Sequence, residues 1–244
     1  MPDAQEQRRL PHAALDPASR LAKARKIRTI LQQHMDLRGC AILDIGTGSG
    51  HIAASLAEAA GPDGEVWGVD AVDQRQVEAA TRFALVTDAR LPFEDASFDV
   101  VVSNHVVEHV GGLEDQQRHL GEIARVLRPG GIGYLATPNR WAVIEPHYHL
   151  PFLSWLPRWA RGGYVRLARR GWGYDCDPLA RGVLVRLLRR APLRFRDATE
   201  EAMHVMASVE SPGRLRRAAL RAPRWMIASA RPIVPALIYL VRNG

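Results

Sequence analysis

Cysteine, lysine and long apolar runs are what this sequence has least of. Cys40 and Cys176 are its only cysteines in 244 residues. Two thiols build neither a disulfide framework nor a cysteine-based metal cluster, so a reducing, cytoplasmic setting is expected. The longest clearly apolar run, Ile233 to Val241, contains Pro235. It is about half the roughly 20 residues that a membrane-spanning helix needs. No charged segment leading into an apolar one opens the sequence, so no signal peptide is expected. Of the 33 basic residues only Lys23 and Lys26 are lysine, a bias that GC-rich coding would produce. Internal repeats and low-complexity tracts are also missing.

What is present is ordinary in amount and uneven in placement. An apolar content of 47% suits a globular chain with a sizeable core. Residues 1–137 hold 14 basic and 19 acidic residues, a net −5, whereas residues 138–244 hold 19 and 7, a net +12. A basic half of that kind favours an anionic partner: a phosphorylated substrate, an anionic membrane surface or nucleic acid.

The order of elements is legible as far as Thr137. Ser19 is read as the cap of a helix to about Met35, with Leu21, Ile27, Ile30 and Leu31 on one side. Strands are expected at 41–45, 66–70, 83–87, 98–103 and 132–137, with helices at 51–60, 74–80 and 113–127 between them. Apolar strands alternating with helices imply an α/β fold: a Rossmann-like, doubly wound, mainly parallel sheet with helices on both faces. Further helices are expected at 158–170 and 177–190, a sixth strand at 193–199, and basic helices at 213–230 and 232–242. The chain thus divides into an N-terminal extension and helix (1–37), a main domain (38–199) with a lid insertion after strand five (138–176), and a basic, helical C-terminal extension (200–244).

ILDIGTGSGHIA, from Ile42 to Ala53, ends a strand, turns tightly and opens a helix. Gly46, Gly48 and Gly50 permit positive φ and a close backbone approach, which places a cofactor at the carboxyl end of strand one. A dinucleotide fingerprint needs a glycine where His51 stands. Asp44 at the strand tip would also repel a pyrophosphate, and suits a ligand carrying an ammonium and a sulfonium. Asp70 ends strand two, where an acid accepts bonds from ribose hydroxyls. Asp88, with Ala89, follows strand three, where an acid can receive an adenine amino group.

With ILDIGTGSG, WGVD, VTDARLPFEDASFDVVVSNHVVEHV and EIARVLRPGGIGYLATPN in this order, the sequence resembles the class I S-adenosylmethionine-dependent methyltransferases, in particular the type 11, quinone-methylase-like group. The resemblance covers about residues 38–140 well and 177–199 weakly. It implies S-adenosyl-L-methionine as cofactor and a seven-strand sheet with a reversed last strand, which the helical reading of 200–244 leaves without a place. It also implies that Asp44, Gly46, Thr47, Gly48 and Gly50 border the methionine end, Asp70 and Ala71 the ribose, and Asp88 and Ala89 the adenine. Asn104 and His105 would face the methyl group.

The acceptor end is less determined. In SNHVVEHV, His105 is read as a base or substrate contact and His109 as a packed, buried histidine; a metal pair is the third reading, and no metal ligand is assigned. TPNRWAVIEPHYHLPFLSWLP, Thr137 to Pro157, has four prolines, two histidines and two tryptophans in 21 residues. That is too broken for a helix or central strand and too aromatic for a solvated linker. Leaving the carboxyl edge of the sheet, it reads as an acceptor lid, with Glu145, His147 and His149 as polar groups in an apolar wall. Catalytic candidates are therefore His105, His147 and His149. The expected reaction is O-methylation of a small-molecule, glycan or lipid-linked hydroxyl. Ser103-Asn104-His105-Val106 lacks the motif of a DNA amino-methyltransferase. An RNA methyltransferase and a non-catalytic cofactor-binding protein are the alternatives. Residues 224–244, apolar between arginines, are read as a peripheral contact with the inner face of a membrane.

Overall fold

The computed structural model describes residues 17–77, 80–88, 90–174, 176–209 and 233–243. Seven strands form one sheet in the order β3-β2-β1-β4-β5-β7-β6. They are β1 (Ala41–Ile45), β2 (Glu65–Asp70), β3 (Arg82–Leu85), β4 (Phe98–Asn104), β5 (Leu127–Pro138), β6 (Leu193–Asp197) and β7 (Ala236–Asn243). β1 to β5 are parallel; β7 runs antiparallel to both β5 and β6. The order reverses at β1, so the carboxyl ends of β1 and β4 flank the crevice where doubly wound sheets take their ligands.

Strand alternation sorts side chains onto two faces. Leu43, Val101 and Leu135 point to one, where they meet Leu120 and Ile123 of α3 (Leu113–Val126) and Leu184, Leu187 and Leu188 of α5 (Arg181–Arg190). Ile42, Val100, Val102 and Tyr134 point to the other. There they meet Ile27, Ile30 and Leu31 of α1 (Pro17–Gln32), Leu56 of α2 (His51–Ala60) and Val205 of α6 (Thr199–Val209). With both faces covered, central strands lose the apolar–polar alternation and become continuous apolar runs. Among the described residues no helix is long and apolar enough to cross a membrane.

Several expectations are corrected. Residues 236–243, expected to be helical, are the reversed strand β7, inserted between β5 and β6. Leu237, Tyr239 and Val241 pack on one face and Ile238 and Leu240 on the other, so the run is a two-sided strand. Pro235 just before it removes a helical hydrogen bond and fits a strand start. The proposed membrane segment therefore has Leu237, Leu240 and Val241 inside the sheet, while Arg242 donates to the Gly130 and His34 carbonyls. The helix expected at 213–230, and the Arg224 end of that membrane segment, lie outside the described residues. Residues 74–77 form a loop, not the start of a helix. α1 begins at Pro17, which puts Ser19 inside it, and Leu21 is exposed.

Residues 139–180 leave β5 and fold over the carboxyl edge of the sheet. Asn139 bridges to Leu179 and Ile144 to Pro151. The segment has its own small core of Tyr148, Leu150, Leu153 and Val165, the last on α4 (Arg158–Leu167). Arg161 is buried there; its guanidinium donates to the Leu156 and Ser154 carbonyls at 2.9 and 3.0 Å.

Candidate functional site

Two groups of polar residues meet the carboxyl edge, one around the glycine loop and one between β4 and the lid. In the first, the backbone does most of the positioning. Gly46 has φ +67° and its amide donates to the Val69 carbonyl at 2.8 Å. A Cβ there would lie 2.5 Å from a Val106 methyl, so the residue is glycine for two reasons, conformation and space. Asp70 Oδ2 accepts the Gly48 amide at 2.8 Å and Oδ1 accepts the Ala71 amide at 2.7 Å, tying the loop to the tip of β2. Thr47 Oγ1 donates to Asp44 Oδ2 at 2.8 Å. Gly50, at φ +81°, passes the chain into α2.

Asp44 is buried, and its Oδ1 has no hydrogen-bond partner. Burial pushes its pKa up to about 7 against the opposing bond from Thr47, and the neighbouring Asp70 charge pushes the same way. An orphaned, buried carboxylate oxygen beside a glycine loop is the acceptor that a cationic ammonium would satisfy. The residues present therefore fit the methionine end of S-adenosylmethionine. Asp88 is exposed at the end of the segment after β3, and Ala89 lies outside the described residues.

The second group starts at the end of β4. Asn104 is its last residue, and His105 follows with φ +60°, its amide held by the Ala136 carbonyl at 2.8 Å. Glu108 is completely buried. Its Oε2 accepts from Thr137 Oγ1 at 3.1 Å. Its Oε1 has no aligned hydrogen bond, although three imidazoles surround it: His105 Nδ1 at 3.3 Å, His147 Nε2 at 3.7 Å and His109 Nε2 at 4.0 Å. His105 Nδ1 is likewise buried without an aligned partner. Burial lowers the His105 pKa to about 4 in spite of Glu108, so the ring is neutral at pH 7.

The lid brings His147 to this place. Glu145, also completely buried, accepts the amides of His147 and Tyr148 with Oε2 at 2.8 and 2.7 Å, and His147 Nδ1 with Oε1 at 2.8 Å. Burial works to lower the His147 pKa, but the bond to Glu145 and the Glu108 charge prevail and raise it. His105 and His147 meet edge to face with ring centroids 5.5 Å apart, and His109 and His147 at 5.4 Å. Cys176, buried at the far end of the lid, places Sγ 3.8 Å from His109 Nδ1. Two sets of ligand atoms in this cluster lie within 4.8 Å of one another: His109, His147 and Cys176, and His105, Glu108 and His147. His149 is exposed, with φ +53°, and belongs to neither.

Of the three candidate histidines, then, the structure joins His105 and His147 and leaves His149 outside. His109, read from the sequence as a packed, buried histidine, is exposed and belongs to the cluster rather than to the core. The central place of Glu108 and the arrival of Cys176 were not legible: an acid buried among imidazoles and a cysteine 67 positions from its partner come together only through the lid. His119 of α3 was also missed. It is half-buried and neutral, with a pKa lowered by desolvation to about 4, and its Nε2 meets Ser103 Oγ at 2.9 Å.

Residues 43–135 match the type 11 methyltransferase domain family. The chain is 31% identical to the demethylmenaquinone methyltransferase of Chlorobaculum tepidum over 151 residues, covering 59% of each protein. It is 32% identical over 131 residues to the ubiquinone biosynthesis O-methyltransferase of Rhizobium rhizogenes, covering 50% of this chain and 52% of that one. The chain thus spans only about half the length of the curated relatives it matches. Its fold is similar to that of an S-adenosylmethionine-dependent methyltransferase from Mesorhizobium loti, with a TM-score of 0.60 at 16% identity, covering 91% of this chain and 99% of that one. The match over Leu43–Leu135 and the shared fold make the chain similar to the class I S-adenosylmethionine-dependent methyltransferases of type 11.

Proposed function

We propose that the protein methylates a hydroxyl oxygen of an acceptor held between the end of β4 and the lid, with His105 as general base. The observation that carries this reading is the pair of His105 and Glu108: a neutral imidazole at the edge of the cofactor crevice, backed by a fully buried carboxylate. Bound S-adenosylmethionine would supply a sulfonium-borne methyl carbon for in-line attack by the acceptor oxygen, with S-adenosylhomocysteine as the leaving group. Asp44 and Asp70 hold that cofactor, the first through its orphaned Oδ1 and the second through the loop it braces. As the oxygen attacks, its proton passes to His105, and the Glu108 carboxylate offsets the charge gained by the ring. Glu145 fixes the orientation of His147 against the acceptor side. Excluding water protects the reaction, and the lid's own core favours a preformed cover.

The outer face of the lid supports an anionic amphiphile as the acceptor class, such as a lipid-linked hydroxyl. Trp159, Leu167 and Trp172 are 86%, 84% and 82% exposed. Four exposed arginines, Arg158, Arg166, Arg169 and Arg170, and no acid lie between Pro146 and Tyr174. Arginine with exposed indole rings suits a headgroup layer.

The test is a reaction with ¹³C-methyl-labelled S-adenosylmethionine and hydroxylated lipid and glycan acceptors, with the product read by carbon NMR. A methoxyl carbon is expected. A methyl on carbon or nitrogen, or cofactor binding without transfer to any acceptor, would overturn the assignment.

A further inference from the structure

The proposed methyl transfer uses His105 and Glu108, orients His147 through Glu145, and gives Cys176 and His109 beside them no role. Cys176 Sγ lies 3.8 and 3.9 Å from the two ring nitrogens of His109 and 4.0 Å from His147 Nδ1. These separations are at the long end of the range for a sulfur hydrogen bond. They are close to the edge of a metal polyhedron: zinc bonds of about 2.3 Å to sulfur and 2.0–2.1 Å to nitrogen put tetrahedral ligand atoms about 3.5 Å apart. One ligand atom from each of His109, His147 and Cys176 lies within 4.8 Å of the other two, so the side chains would draw together by up to about 1.3 Å to close a site around an ion.

Three further features fit a cation here. Glu145 Oε1 takes His147 Nδ1 at 2.8 Å, the carboxylate–histidine arrangement that orients an imidazole ligand and raises its basicity. Glu108 Oε1, buried without an aligned hydrogen bond, faces Nε2 of both His109 and His147. The basic groups within 4 Å of Glu108 are all imidazoles, so no permanent cation answers its charge there among the described residues.

We propose that His109, His147 and Cys176 form a zinc-class metal site that ties the lid to the loop after β4. One thiolate and two imidazoles select a soft or borderline ion such as Zn²⁺ over Mg²⁺ or Ca²⁺. Three protein ligands leave a fourth position for water or for an acceptor heteroatom. Binding exchanges the Cys176 thiol proton for the metal and releases that proton to solvent. The three ligands come from three separate stretches, two of them in the lid, so the ion would fix the lid's closed position over the crevice.

The experiment is a cobalt(II) titration of the metal-stripped, full-length protein, followed by displacement with zinc. One equivalent of cobalt is expected to give a thiolate-to-metal charge-transfer band in the near ultraviolet and ligand-field bands in the visible, both lost on adding zinc. Cys40, remote in the core, is the thiol control: Cys40→Ser keeps the bands and Cys176→Ser loses them. Outer-shell changes alone cost about 10–100-fold in metal affinity, so losing Cys176 is expected to cost more than about 100-fold. His109→Gln provides a second variant should Cys176→Ser fail to fold. A wild-type protein that is folded by circular dichroism but shows no charge-transfer band overturns the proposal, as does a band that survives both substitutions. The readout is binding, so its outcome is separate from that of the methyl-transfer assay.

Discussion

Asp44 and Asp70 stand at neighbouring strand tips and have opposite environments. Asp70 is partly exposed and engaged by two backbone amides; Asp44 is buried with one oxygen unanswered. The folded pKa of Asp44, about 7, lies above its unfolded value of 3.8. Between those values the folded protein binds the proton more tightly, so this group costs the apo protein stability as pH rises from about 4 to about 7, by a few kcal/mol in order of magnitude. Above pH 7 the cost is constant. Asp44→Asn is therefore expected to raise the melting temperature of the apo protein at pH 8 and to flatten this part of its pH dependence. Cofactor affinity should run the other way, rising toward pH 7 as Asp44 ionises to meet the ammonium, and Asp44→Asn should abolish that rise. Calorimetric titrations at pH 5.5 and 8 check both signs. Asp70→Ala removes a charged acceptor and the brace on Gly48; about 1.5–3 kcal/mol is expected, or roughly tenfold or more in cofactor affinity. An unchanged dissociation constant would remove Asp70 from the site.

The glycine loop and β7 show how far each element was legible. The loop was readable because its constraint is local: Gly46→Ala would meet both a left-handed φ and the Val106 methyl. A destabilisation of about 1–3 kcal/mol from the backbone alone is expected in chemical denaturation. β7 was misread because arginines flank its apolar residues and because its two partner strands, β5 and β6, are distant in sequence. Its Pro235, Ile238 and Tyr239 already spoke for a strand over a helix. The position has a consequence. A peripheral extension could be removed without harm, whereas deleting residues 236–244 cuts the sheet between β5 and β6. Each fully buried aliphatic side chain lost contributes about 1.5–3 kcal/mol. The truncated protein is expected to lose its cooperative thermal transition, and retention of that transition would contradict the observed strand order. The irregular course of the segment after β5 was legible from its prolines and aromatics. Its polar interior was not, because nothing local in the sequence places Cys176 beside His109.

At the scale of the whole molecule the charge division follows the architecture. The acidic half holds β1 to β4 and the cofactor loop, and the basic half begins with the lid. If the lid's exposed indoles meet an anionic bilayer, Trp159→Ala combined with Trp172→Ala should abolish flotation with anionic liposomes while leaving cofactor affinity unchanged. No flotation of the wild-type protein at low salt would remove the bilayer from the account. The central claim is narrower: a neutral His105, backed by Glu108, removes the proton of a hydroxyl acceptor. Its most direct test is the turnover number of His105→Gln beside its cofactor dissociation constant, measured with an acceptor that the wild type methylates. The account requires turnover to fall by about 10²–10⁴ with cofactor binding unchanged; turnover at the wild-type level would contradict it.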